Sequence, residues 1–168
     1  ETLLDYTKVE AGEHPTMAAI CFANLFRDCT ALSSAPELPT TNLSDNCYVG
    51  MFRGCTGLTV APALPATTVI GGCYQEMFRG CTSLVQAPEL KAKTLPPSCY
   101  KSMFMDCTAL KSAPELPATT LGATCYQYMF SNCTSLTKAP TLQAMTKAPT
   151  LQAMTMSPGC YYSMFDSC

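Results

Sequence analysis

The residues with most chemistry to offer are twelve cysteines, and their spacing is regular. They fall in pairs eight apart: Cys21 and Cys29, Cys47 and Cys55, Cys73 and Cys81, Cys99 and Cys107, Cys125 and Cys133, Cys160 and Cys168. Thiols at this density serve as crosslinks in an oxidising compartment, or as metal ligands and redox centres in a reducing one. Structural zinc needs ligands about two to four residues apart, usually with histidine, and neither condition is met; no metal site or cofactor is expected. Three readings of the thiols stand open. One is a disulfide within each pair, which a continuous helix opposes because eight residues span ~12 Å and a bridge reaches only ~7 Å. The second is bonding between repeats at sheet-like spacing. The third is a buried thiol acting as a small hydrophobe.

Other reactive residues are few. His14 is the single histidine and stands near no recognisable nucleophile motif, so it reads as a surface residue. There is no phosphate loop, no H-E-x-x-H and no close carboxylate pair, and no catalytic residue is assigned. Met51, Met77, Met103, Met129 and Met164 form a periodic row that reads as core filling before it reads as a docking groove. Tyr48, Tyr74, Tyr100, Tyr126 and Tyr161 follow the first cysteines and read as partly buried structural residues.

The elements that position these residues are repeats. CYVGMFRGCTGL (47–58) returns as CYQEMFRGCTSL, CYKSMFMDCTAL and CYQYMFSNCTSL, with a looser copy from Cys21 and a last one from Cys160. Repeats start at residues 21, 47, 73, 99, 125 and 160. The interval is 26 residues until the last, which arrives nine late because TKAPTLQAM (137–145) is followed at once by an identical TKAPTLQAM (146–154). Nine residues do not make a repeat, so one copy is expected to bulge from the stack. A period in the range 20–50 means a stacked architecture in which no unit buries its apolar face alone. Rungs at ~4.8 Å would give a slab roughly 25–30 Å long.

Within a rung, Asn46, Gly72, Ser98, Thr124 and Gly159 precede the first cysteine and suit a helix N-cap. Asp28, Gly54, Gly80, Asp106, Asn132 and Ser167 precede the second, and Gly and Asn there suit a left-handed helix end. The spacing therefore predicts a two-turn helix presenting Cys47, Met51, Phe52 and Cys55 on one face. A very short parallel strand is expected around the leucine that follows, ended by Pro36, Pro62, Pro88, Pro114, Pro140 or Pro149. The Leu-Pro-Ala-Thr-Thr segment then reads as an extended return.

On these motifs the chain resembles the BspA-like leucine-rich repeats of bacterial surface proteins. Met51-Phe52, Cys55 and Leu58 stand where the family rung has Ala-Phe, Cys and Leu, and Cys47 takes an apolar slot five before the phenylalanine. The likeness covers residues 21–168 and is nearest to a cysteine-rich subgroup of gut anaerobes; similar repeats occur in phages of such bacteria. The unit is a few residues longer than the family's. The resemblance implies an α/β repeat solenoid: a right-handed leucine-rich-repeat stack of short parallel strands and short helices, secreted or on a cell surface, adhesin-like and not an enzyme. Residues 1–20 fit no repeat and read as an N-terminal cap. Glu1 reads as the start of a trimmed fragment, and the bare last rung implies that the natural protein continues past Cys168.

Comparison of the copies isolates what varies. Beside the expected strand these are Ser33 and Ser34, Thr59 and Val60, Val85 and Gln86, Lys111 and Ser112, Thr137 and Lys138. On the expected helix they are Val49-Gly50, Gln75-Glu76, Lys101-Ser102 and Gln127-Tyr128. Variable positions beside a fixed strand make the exposed binding strip of a stacked repeat, and the strand-side ten are the candidate ligand-binding residues. The partner expected is a protein or a cell-surface glycan; the alternative is a spacer or virion component. With 48% hydrophobic and 13% charged residues disorder is not expected, and a net charge of −2 without a basic patch argues against nucleic acid. No apolar run approaches the about 18 residues of a membrane span.

Overall fold

The computed structural model describes residues 17–140 and 157–168. Most of the expected cap, with His14, therefore lies outside the described residues, as do Pro149 and most of both nine-residue copies.

Successive copies lie side by side in one direction and share a single apolar interior. Two columns of rings show this. Phe22, Tyr48, Tyr74, Tyr100, Tyr126 and Tyr161 stack at centroid distances of 5.6–6.1 Å. Phe26, Phe52, Phe78, Phe104, Phe130 and Phe165 stack at 5.5–5.7 Å. Offset stacking at this separation is a favoured aromatic geometry. The methionine row is buried in the same interior, as are Leu58, Leu84 and Leu110.

The expected helices are absent: the described residues contain no α-helix. The CYxxMFxxC segments are chains of overlapping four-residue turns. In the rung from Cys47, the N–H groups of Cys47, Val49, Met51, Arg53 and Cys55 each donate to the carbonyl three residues back. The alternate N–H groups of Asn46, Tyr48, Gly50, Phe52 and Gly54 donate instead to the next rung, to Gly71, Cys73, Gln75, Met77 and Arg79, at 2.8–3.1 Å. Every donor of the segment is thus satisfied, half locally and half by a neighbour, as buried backbone requires. An α-helix would have used them all locally.

The conformation that permits this is left-handed at every fourth residue. Asn46, Gly50 and Gly54 have φ of 54–72°, and three such residues recur in each of the six rungs. A positive φ at the third turn position alone is the type II arrangement. The flanking positions had been expected to serve as N-cap and helix end. The second is indeed left-handed; the first is too, and so is the middle one, which is Gly50, Glu76, Ser102 or Tyr128 in successive rungs. No stretch between them is long enough for a helix. Burial follows a period of four: Cys47 and Tyr48, Met51 and Phe52, then Cys55 are buried, while Val49, Arg53 and Gly54 between them are half-buried.

The strand is also displaced. The N–H of Leu58 closes a last turn on Cys55, so pairing cannot begin at the leucine. Single parallel bridges form two residues later, Ser34 to Val60, Val60 to Gln86, Gln86 to Ser112 and Ser112 to Lys138. Two residues further on stands the proline, which has no N–H to give. Squeezed between turn and proline, the strand shrinks to one residue. The longer pairing lies in the return segment, where β1 (Thr94–Leu95) runs parallel to β2 (Thr120–Leu121).

The nine-residue duplication does not disturb the stack on either side of it. Ser112 bridges Lys138 at the ordinary interval, and Tyr126 stacks on Tyr161 nine residues beyond it. The expected bulge itself falls outside the described residues.

Candidate functional site

The ten variable residues form two adjacent columns. Ser34, Val60, Gln86, Ser112 and Lys138 are the bridged residues, and Ser33, Thr59, Val85, Lys111 and Thr137 precede them. All are exposed except Ser112, which is half-buried. Few backbone bonds tie this strip: Val85 N–H to Thr59 at 3.4 Å, Lys111 to Val85 at 3.2 Å, Thr137 to Lys111 at 3.1 Å, and Ala113 to Lys138 at 3.3 Å. Its chemistry is apolar in the middle and cationic at one end. Val60 is 66% exposed and Val85 42%. Lys111 and Lys138 lie in neighbouring rungs and make no ion pair among the described residues.

Between the rungs of Thr59 and Val85 the surface is concave, an open cleft of about 490 Å³. Its walls include Thr59, Val60, Val85 and Gln86, joined by Pro62, Leu64, Pro65 and Pro88. Glu89 and Lys91 stand at the edge as an exposed ion pair at 3.5 Å. The proline and leucine walls were missed because they repeat in every copy, and comparison of copies finds only what varies. The regular proline was the one available signal, since without an N–H it cannot continue the ladder.

The variable positions on the turn side have a different origin. Gly50, Glu76, Ser102 and Tyr128 vary at the left-handed position, and Gly50 and Ser102 are buried. Glu76 bonds Arg53 at 2.6 Å and Arg79 at 3.4 Å, and Arg79 reaches Asp106 at 3.6 Å. This partly buried network ties three rungs together.

The cysteines form two columns, with all twelve present as thiols. In the second column the S–H donates to a phenylalanine carbonyl of the preceding rung: Cys55 to Phe26 at 2.9 Å, and Cys81 to Phe52, Cys107 to Phe78 and Cys133 to Phe104 at 3.1 Å. The thiol whose charge bears on each interior cysteine is the equivalent one in an adjacent rung. Burial pushes Cys47 and Cys55 up to about 11, and Cys73, Cys81, Cys125 and Cys133 up to about 12. Such thiols are protonated at neutral pH and are poor nucleophiles and poor metal ligands. Among the described residues no cluster of three potential metal ligands occurs. The tyrosines expected to be partly buried are buried outright from Tyr48 to Tyr126; Tyr161 is half-buried.

No described helix is long and apolar enough to cross a membrane. Comparison of the chain with protein-family models, with curated proteins and with solved structures gives no match.

Proposed function

We propose that the chain is a non-enzymatic, right-handed leucine-rich-repeat solenoid, secreted or displayed on a cell surface, that binds a macromolecular partner through the strip. The observation that carries this reading is the pair of exposed valines, Val60 and Val85, over the concave wall between two rungs, with Lys111 and Lys138 in line beyond them. Water-exposed apolar side chains on a surface held in fixed register favour a docking surface. The BspA-like resemblance supports the solenoid and the adhesin-like role, and makes a surface protein or glycan the partner class. That the module is not an enzyme rests on the absence of catalytic motifs in the sequence.

The test is capture from bacterial and host surface extracts by wild type and by a Val60→Asp, Lys111→Glu, Lys138→Glu variant, with folding followed by circular dichroism and thermal melting. Binding through the strip predicts partners retained by wild type and lost by a variant that melts like wild type. Equal capture by both, or none by either, leaves the spacer or virion-component reading in its place.

A further inference from the structure

The strip carries its charge in one place. Lys111 and Lys138 are the only ionised residues among its ten. Both are exposed, in neighbouring rungs, and neither makes an ion pair among the described residues. Of the acids in the nearby return segments, Glu89 is held by Lys91 at 3.5 Å, and Glu115 makes no ion pair with either strip lysine. Lys111 is also tied to the cleft. Its N–H donates to Val85, a cleft wall, at 3.2 Å, and its carbonyl accepts from the Thr137 N–H at 3.1 Å and the Thr137 hydroxyl at 3.2 Å. An aliphatic hollow and an ammonium group are thereby held on one line at a set separation. Rungs step by ~5 Å, so Lys111 stands one and a half steps from the middle of the cleft, roughly 7 Å, and Lys138 two and a half, roughly 12 Å. In an extended chain, side chains on one face recur every ~6.7 Å, so the next two after a given one fall at roughly 7 and 13 Å.

Taking the strip as the binding surface, we infer that its partner is a protein presenting an extended acidic segment. The segment lies along the stack, with an aliphatic side chain in the cleft and carboxylates two and four residues further on, against Lys111 and Lys138. The cleft, about 490 Å³, falls in the range of about 300–1,000 Å³ that recognition pockets occupy. Its walls Val60, Pro62, Leu64, Val85 and Pro88 are aliphatic, so they match an aliphatic side chain. Apolar burial in the hollow supplies most of the affinity, and the two exposed ion pairs set register and direction. A glycan fits this surface less well. No aromatic side chain stands among the ten strip residues or the cleft walls to stack on a sugar ring, and the tyrosine column from Tyr48 to Tyr126 is buried. An acidic sugar polymer offers carboxylates but nothing aliphatic for the hollow.

The probe is a fluorescein-labelled peptide, Gly-Ser-Leu-Ser-Glu-Ser-Glu-Ser-Gly, titrated with the full chain at low salt and followed by anisotropy. Saturable binding is expected, weakening as salt rises. An isomeric peptide with its glutamates one and three residues after the leucine should bind about tenfold more weakly, because an extended chain turns them to the opposite face. A peptide with serine in place of leucine should not bind. Val60→Asp should abolish binding of the first peptide, and Lys111→Glu should weaken it about three- to tenfold. Lysine in place of the first glutamate of the peptide, and not of the second, should restore binding to the Lys111→Glu chain. Both variants should melt like the unmodified chain, since both side chains are exposed. Equal binding of the two isomers, rescue by either lysine peptide, or no binding of the first peptide overturns the inference. So does binding of polygalacturonate, an acidic sugar polymer, in the peptide's place. If the peptide fails while capture from extracts is still lost in the Val60→Asp, Lys111→Glu, Lys138→Glu variant, the strip remains a binding surface and only the acidic segment falls. If both fail, the strip falls with it.

Discussion

The turn face and the strip repeat with the same period, yet they are bound together very differently. From the rung of Cys47 to that of Cys73 the turn face makes five backbone bonds of 2.8–3.1 Å, while on the strip Val85 reaches Thr59 at 3.4 Å. Buried side chains stand behind the first, and behind the second stand Val60 and Gln86, open to water. The lesson is a division of labour. One side of each rung fixes the step of the stack, and the other inherits that step without contributing much to it, so its side chains can change without cost to the fold.

Variants that separate the two faces test this division. The largest effect is expected from Phe78→Ala, which removes a fully buried ring stacked on both sides, at 5.6 and 5.7 Å. Urea unfolding should show a loss of about 3–5 kcal/mol, the usual cost of truncating a core phenylalanine; a loss below about 1 kcal/mol would mean that the rungs do not share one interior.

Alkali should act next, and on the turn face. The thiols of Cys47 and Cys55 titrate near 9 when exposed and near 11 when folded, because burial disfavours the thiolate. The unfolded chain therefore binds fewer protons between those values, and stability, undiminished below pH 9, falls as pH rises from 9 to 11. Melting temperatures across that range should decline continuously, and a flat profile would contradict the burial of the thiol columns.

A smaller effect isolates the left-handed backbone. A Cβ on Gly80 would meet nothing nearer than the Gly54 Cα at 3.7 Å, so Gly80→Ala tests φ +73° without a clash. The expected loss is about 1–2 kcal/mol, whereas Ser102→Gly, at φ 54°, should gain about 0.5 kcal/mol. Opposite signs in calorimetry distinguish tandem turns from the helix that the spacing suggests, since glycine would weaken a helix at Ser102. Least is expected on the strip: Val60→Ser and Lys111→Ser should each change stability by no more than about 0.5 kcal/mol. A larger loss at either would erase the contrast between the faces.

Much of this was legible in the residues. The interval between CYxxMF copies fixed which side chains stack on which, and comparison of the copies picked out ten strip residues that the fold lays in two adjacent columns. The left-handed residue before the second cysteine was readable from Gly54, Gly80 and Asn132, residue types that tolerate that conformation. Glu76 and Tyr128 carry no such mark, and without them the middle of the segment looked helical. The cleft was hidden for the opposite reason, its proline walls being too constant to stand out.

The sequence alone determined period, register and which side chains go inside, because these depend on identity and spacing along one chain. Only the tertiary structure decided the path of the backbone. Half of the amide donors in each of the first four turn segments find their acceptors about 25 residues away on the next rung, and the strand is cut to one residue by a turn on one side and a proline on the other. A local reading weighs helix against turn by bonds within a few residues, and here the bonds that tip the balance exist only once a second rung lies alongside.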